Sequence, residues 1–417
     1  MPLLFAGSLI VLRLRLVVFL KKAWKNLGPV STIPVYNGVH SAKQANSSKK
    51  QFPALTGIRA LGAMAVFFVH LPFALGHRIS IDVMAFFFVL SGFLIVYLYY
   101  EDVRVKQWKL KRYFVNRFAR IYPVYFLLVT IAILLLHDFR PWFLFKSFTI
   151  THSFFQNNRD LAIKPSWSIT TEETFYFFAP CFILLIRRFN YFIALLSGGL
   201  LLVAALFISI LPISFLHTPR FVFSITFFGH FFEFFCGIYL ALLILKSKNK
   251  TIDLPGKKFT VIGTAGVLLT MGILIASNNM NDQSRQGQFI LVNNFLLPVS
   301  VALFYYGLIR EQTRTARFLS SPLLQILGRT SYSFYLVHMI VIDFIATPFM
   351  APAFVHHYNL YVILIFILAQ LIAFLIFRFY EEPANILIRQ KFGRKLRAAG
   401  PYQTSHATDD EKVANYT

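Results

Sequence analysis

Residues 55–70 read LTGIRALGAMAVFFVH. The stretch has the apolar content of a membrane-spanning helix, yet Arg59 stands near its start and His70 at its end, eleven positions apart. Eleven residues of α-helix turn through about 1100°, within about 20° of three full turns, and rise about 16 Å. Both ionisable groups therefore lie on one face, at two depths. A snorkelling arginine and a satisfied core histidine would explain either residue alone. Ionisable groups inside a span are costly and mark function, and the shared face favours a joint role for these two.

Working outward, the whole chain reads as an all-α, polytopic membrane helix bundle. Of 417 residues, 57% are hydrophobic and only 14% charged, more apolar surface than a soluble fold can hide. Ten segments reach the roughly 20 apolar residues a bilayer requires: 54–76, 79–100, 115–137, 168–187, 190–211, 221–245, 259–277, 288–309, 330–350 and 358–380. The net charge of +24 does not point to nucleic acid, because the basic residues sit in short loops between spans. Loops 101–120, 187–190, 246–258 and 310–329 and the tail from 378 hold 25 Lys and Arg, against 6 in the alternate loops. The positive-inside rule then places both termini in the cytoplasm, in agreement with an even number of spans.

Residues 1–51 form an N-terminal extension. MPLLFAGSLIVLRLRLVVFLKK is apolar but broken by Arg13 and Arg15, and no basic region precedes it. It reads as an interfacial helix or a short extra span rather than a signal peptide, followed by the polar linker 37–51. The bundle is expected over 52–392, with a disordered cytoplasmic tail over 393–417. Cys181 and Cys236 both lie in apolar runs, so neither a disulfide framework nor a metal site is expected.

More polar groups fall within or beside the spans. Asp82 opens the second span, where it caps the helix or shapes the outer mouth of a cavity. Ser91-Gly92 interrupts the middle of that span as a small pair suited to close packing. Arg117 and Arg120, spaced i, i+3, share a face where the third span begins. They are positive-inside anchors or a clamp for phosphates. Glu172 and Tyr176 are i, i+4 neighbours at the outer start of the fourth span, beside Glu173. Glu172 either answers the helix dipole or orients a histidine from another helix. His230 and Glu233 in the sixth span are spaced to pair with each other. His338 falls about a third of the way into the ninth span from the cytoplasmic side, and Glu381 and Glu382 close the tenth.

Seven of these stretches, in order, resemble the integral-membrane acyltransferase 3 family of O-antigen and exopolysaccharide acetylase type. LTGIRALGAMAVFFVH is similar to its Arg-x10-His helix, IDVMAFFFVLSGFLI to its "VDvFFvLSGFLI", and RFARIYPVY to its "R-x-x-R-i-x-P". WSITTEETFYFFAP, FEFFCGIYLAL, GRTSYSFYLVH and FYEEPA resemble its remaining motifs. The resemblance covers about residues 52–392. It implies transfer of an acyl group, usually acetyl, from cytosolic acyl-CoA (acetyl-CoA) to a hydroxyl of a glycan or small-molecule acceptor. The setting is a bacterial inner (plasma) membrane, with no metal.

Carried over by motif, Arg59 and His70 match the family's essential pair, Arg117 and Arg120 its inner arginines and Glu172 its acid in the fourth helix. The expected mechanism binds coenzyme A phosphates at Arg59, Arg117 and Arg120 and uses His70 as general base. Glu172 would orient the imidazole, and Asp82, Tyr176 and His338 would line the substrate. An acyl-histidine is the alternative course. The sequence departs from the family at Asp82, which follows Ser-Ile instead of Gly-Val, and at His230, where arginine is common. No hydrolase-like domain follows the tenth span, so transfer is expected to need none or to use a separate partner. A transporter or flippase of a polar glycan or lipid precursor is the alternative of a different class.

Overall fold

The computed structural model describes residues 52–71, 83–104, 110–155, 162–211, 215–216, 218–247, 256–276, 283–350 and 357–398. The extension 1–51, Asp82 and residues 399–417 lie outside these. Every regular element among the described residues is helical. In chain order they are α1 (Pro53–Val69), α2 (Met84–Arg104), α3 (Leu110–Leu136), α4 (Pro141–Thr149), α5 (Trp167–Arg188) and α6 (Tyr191–Ser209). There follow α7 (Pro219–Ile225), α8 (Phe227–Lys246), α9 (Lys258–Ala276), α10 (Gln283–Leu291) and α11 (Leu297–Arg310). The chain closes with α12 (Arg314–Leu319), α13 (Pro322–Val341), α14 (Tyr358–Ile376) and α15 (Glu382–Ala398).

Nine helical segments among the described residues are long and apolar enough to cross a membrane, and they fall on the second to tenth expected spans. α1 is a shorter apolar helix of 17 residues. Proline begins α1 and α13, where a missing N–H costs nothing and φ is already helical. Asn190 and Thr313 cap α6 and α12 through their side chains. α9 takes its cap from another helix: Glu311 accepts from the Phe259 amide at 2.8 Å, the Thr260 amide at 2.9 Å and the Thr260 hydroxyl at 2.7 Å.

Lipid gives helices no hydrophobic reason to associate, so small residues must let backbones meet. α2 packs on α8 in this way. A Cβ on Gly92 would lie 2.1 Å from the Phe234 carbonyl oxygen, and one on Gly237 would lie 1.9 Å from that of Val89. α13 approaches α1 as closely, with a Cβ on Gly328 meeting the Thr56 carbonyl oxygen at 2.1 Å. α6 and α9 stand at the periphery, with Leu200, Val203, Phe207, Leu268 and Leu269 exposed as lipid-facing residues are.

Three π-helical segments interrupt the long helices: Val292–Leu296, Ile342–Met350 and Phe377–Glu381. Each lies at or next to a proline (Pro298, Pro348, Pro383) that cannot donate to the carbonyl four residues back. The ninth expected span changes most. α13 begins at Pro322 and not at 330, and the span runs on through the π segment to Met350, so His338 lies just past its middle and not a third of the way in. Residues 322–329, which read as loop, are the first two turns of helix. α15 runs to Ala398, beyond residue 392.

Candidate active site

Two levels of polar side chains cross the bundle. The basic end is the one where α3 begins and α5 ends; the far end is where α1 ends and α5 begins. At the far end, α1 stops at His70, the helix cap, whose Nδ1 lies 2.8 Å from the Val66 carbonyl oxygen. His338 of α13 is fully buried beside it, its Nε2 3.5 Å from His70 Nδ1 and its Nδ1 3.3 Å from the Phe334 carbonyl. A carbonyl can only accept. The hydrogen-bond pattern therefore assigns the proton of each ring to Nδ1, facing Val66 and Phe334 respectively. His338 Nε2 then turns its lone pair to the His70 Nδ1–H, and His70 Nε2 keeps a lone pair with no partner among the described residues.

The ion pair Lys164–Asp343, at 2.9 Å, stands within electrostatic reach of His70. It joins the turn before α5 to the π segment after α13. Tyr335 of α13 also ties to that turn and to the start of α5, donating to the Pro165 carbonyl at 2.7 Å and meeting the Ser168 hydroxyl at 2.6 Å. Behind this turn, His152 is buried with its Nε2 3.1 Å from Ser166 Oγ and 3.2 Å from Thr170 Oγ1. It lies between spans, and burial pushes its pKa down to about 4.

Nearer the basic end, Glu172 accepts from Ser91 and, at 2.5 Å, from the Tyr176 hydroxyl. Tyr113 donates to the Tyr176 carbonyl at 2.9 Å and so fixes α3 against α5. The Arg117 guanidinium lies over the rings of Tyr176 and Tyr99, 5.4 and 5.8 Å from their centroids. Arg59 has no hydrogen-bond partner among the described residues, but it feels the charges of Arg120, Glu172 and Glu381. Arg120 pairs with Glu381 at 2.6 Å, and the other oxygen of that buried carboxylate accepts from Ser333 at 2.6 Å. Arg120 is thereby tied to α13 and to the π segment before α15.

A model of the acyltransferase domain, acyltransferase 3, matches residues 52–378. The chain belongs to the acyltransferase 3 family. A Staphylococcus aureus (strain COL) relative, provisionally named an O-acetyltransferase, is 27% identical over 369 residues, 80% of this chain and 57% of the relative. The peptidoglycan O-acetyltransferase OatA of Listeria monocytogenes is 25% identical over 370 residues, 81% of this chain and 56% of its own. A Bacillus subtilis (strain 168) relative, YrhL, provisionally named a peptidoglycan O-acetyltransferase, is 27% identical over 384 residues, 83% of this chain and 57% of its own. This chain therefore spans a little over half the length of these relatives. No solved structure matches it.

Within this acyltransferase 3 chain, the residues singled out in the sequence are divided between the two levels. His70 and His338 meet at the far end. Arg59, Arg117, Arg120, Glu172 and Tyr176 gather toward the basic end. Asp82 lies outside the described residues. Among the described residues Glu172 bonds to Ser91 and Tyr176 in place of the expected bond to His70, and it lies within the field of Arg59. The ring beside His70 belongs to His338. Ser91 does more than allow packing, since its hydroxyl reaches Glu172 while Gly92 makes the close contact. His230 and Glu233 do pair, at 2.5 Å. Sequence reasoning passed over Asp343, although an acid in an apolar run is a signal. It also passed over Tyr335 and Ser333, which carry no local mark. Among the described residues no group of His, Cys, Asp or Glu could hold a metal ion.

Proposed function

We propose that the chain is an O-acyltransferase, moving an acetyl group from acetyl-CoA to a hydroxyl of a cell-surface glycan in a bacterial plasma membrane. The observation that carries this is one helix face with Arg59 at the basic end and, at the other, a histidine whose Nε2 has no hydrogen-bond partner among the described residues. The names of the Listeria and Bacillus relatives favour peptidoglycan as the acceptor class. The charge bias of the loops favours a cytoplasmic basic end, where coenzyme A phosphates meet Arg117 and Arg59. Arg120, already bound to Glu381, serves to hold that end together.

His70 Nε2 takes the acceptor hydroxyl proton as the oxygen attacks the thioester carbonyl. The carbon–sulfur bond breaks, and the imidazolium returns the proton to the departing sulfur. The products are the O-acyl ester and the free thiol. His338 steadies the His70 ring through Nδ1 and so keeps Nε2 toward the substrate. Glu172 balances Arg59 and orients Tyr176. Family membership favours this reading over a glycan transporter, which needs no thioester.

The test uses membranes with and without the protein, supplied with acetyl-CoA labelled in the acetyl group. Label in the glycan fraction only when the protein is present supports the reading. Glycan crossing the membrane with no thioester cleaved would overturn it in favour of transport.

A further inference from the structure

The packing at the basic end continues past the tenth span. α15 lies along the first turns of α3. Ile388 and Phe392 share one apolar groove with Phe114, Val115 and Phe118. This contact brings Arg389 of α15 into the field of Arg117, with Tyr99 in reach of both. Among the described residues, each of the two guanidiniums has a buried Nε–H with no acceptor, although Arg117 also bonds the Tyr99 hydroxyl. Neither forms an ion pair among the described residues, whereas Arg120 has Glu381. Glu173 attracts Arg117 without pairing with it, and Arg112 and Arg120 add further positive charge around Arg389.

Two like charges held together with buried, unmet donors are unfavourable unless an anion accepts from both. A phosphate group has the oxygens to do so, and a planar guanidinium suits it better than an ammonium does. We propose that Arg117 and Arg389 together form a phosphate site that holds a phosphate of the acyl donor. This rests on the acyl-CoA reading above. Arg389 lies beyond residue 378, where the family match ends. Its side chain closes the site from a helix that carries none of the other arginines in it.

The experiment measures binding of coenzyme A and of inorganic pyrophosphate to the full-length protein purified in detergent. The variants are Arg389→Gln, Arg389→Lys and, as an exposed charge on the same helix, Lys391→Ala. Arg389→Gln is expected to weaken both probes by about tenfold or more, the worth of a charge-assisted hydrogen bond. Arg389→Lys should fall between it and wild type, and Lys391→Ala should stay within about twofold. Unchanged thermal unfolding of the variants confirms that binding, and not folding, has been lost. If Arg389→Gln binds coenzyme A as wild type does, the site is overturned and the donor reading stands. If wild type binds pyrophosphate through Arg389 but not coenzyme A, the donor reading fails and the phosphate site stands. If neither probe binds, while phosphatidylglycerol raises the unfolding temperature only when Arg389 is present, a lipid headgroup is the ligand and the proposal is overturned.

Discussion

The Arg120–Glu381 pair gives the sharpest stability prediction, because its two partners are unequally buried. The Glu381 side chain is 1% exposed and that of Arg120 is 26% exposed. Replacing Arg120 by Met leaves a buried carboxylate with Ser333 as its remaining donor, and such an orphaned charge costs about 3–5 kcal/mol. Replacing Glu381 by Gln leaves a guanidinium that can turn to solvent, and the loss is about 1–2 kcal/mol. The double variant removes the orphan and should be more stable than the sum of the singles, with a coupling of about 1–3 kcal/mol. Reversible unfolding of the purified protein by titration with a denaturing detergent, run as a double-mutant cycle, reads all four values. Equal losses from the two single variants, or strict additivity, would refute the view of Arg120 as a latch between α3, α13 and the π segment before α15.

Three further outcomes follow from local geometry. Gly237→Ala places a Cβ where the Val89 carbonyl oxygen now lies 1.9 Å away; it should force α2 and α8 apart and lower the unfolding midpoint well beyond Gly199→Ala, which meets nothing within 4 Å. His152 is held neutral by burial, with its pKa lowered from 6.5 to about 4. Its contribution is complete above about pH 6.5 and fades as pH falls toward 4, by about 3 kcal/mol in all, so His152→Gln should flatten the acid limb of a stability-against-pH profile. Tyr176→Phe removes the 2.5 Å bond to Glu172; acetyl transfer should fall by about tenfold with the global unfolding midpoint nearly unchanged, as radiolabel transfer and unfolding in parallel would show.

The bundle was legible in the sequence because apolar length is a local property, and nine of the expected spans return as long helices. The common face of Arg59 and His70 was legible for the same reason, since it follows from helical period alone. The depth of His338 was not. Ser320, Ser321, Gln325 and Arg329 resemble loop, yet Pro322 starts a helix there, and the π segment from Ile342 carries the chain on to Met350. The partner of Glu172 was also illegible, because Ser91 is 81 positions away and only tertiary packing joins them. Arg389 stands on an amphipathic helix after the last span, where a basic residue reads as a membrane anchor. Its nearness to Arg117 depends on the docking of α15 against α3.

The central claim is that His70 performs the chemistry and the arginines at the basic end hold the donor. Measuring coenzyme A affinity and acetyl-transfer rate side by side for wild type and His70→Ala tests it most directly. The account predicts an affinity within about twofold of wild type and a transfer rate lower by about 10²–10⁴. A His70→Ala protein that transfers at the wild-type rate, or one that loses donor binding with its chemistry intact, would contradict it.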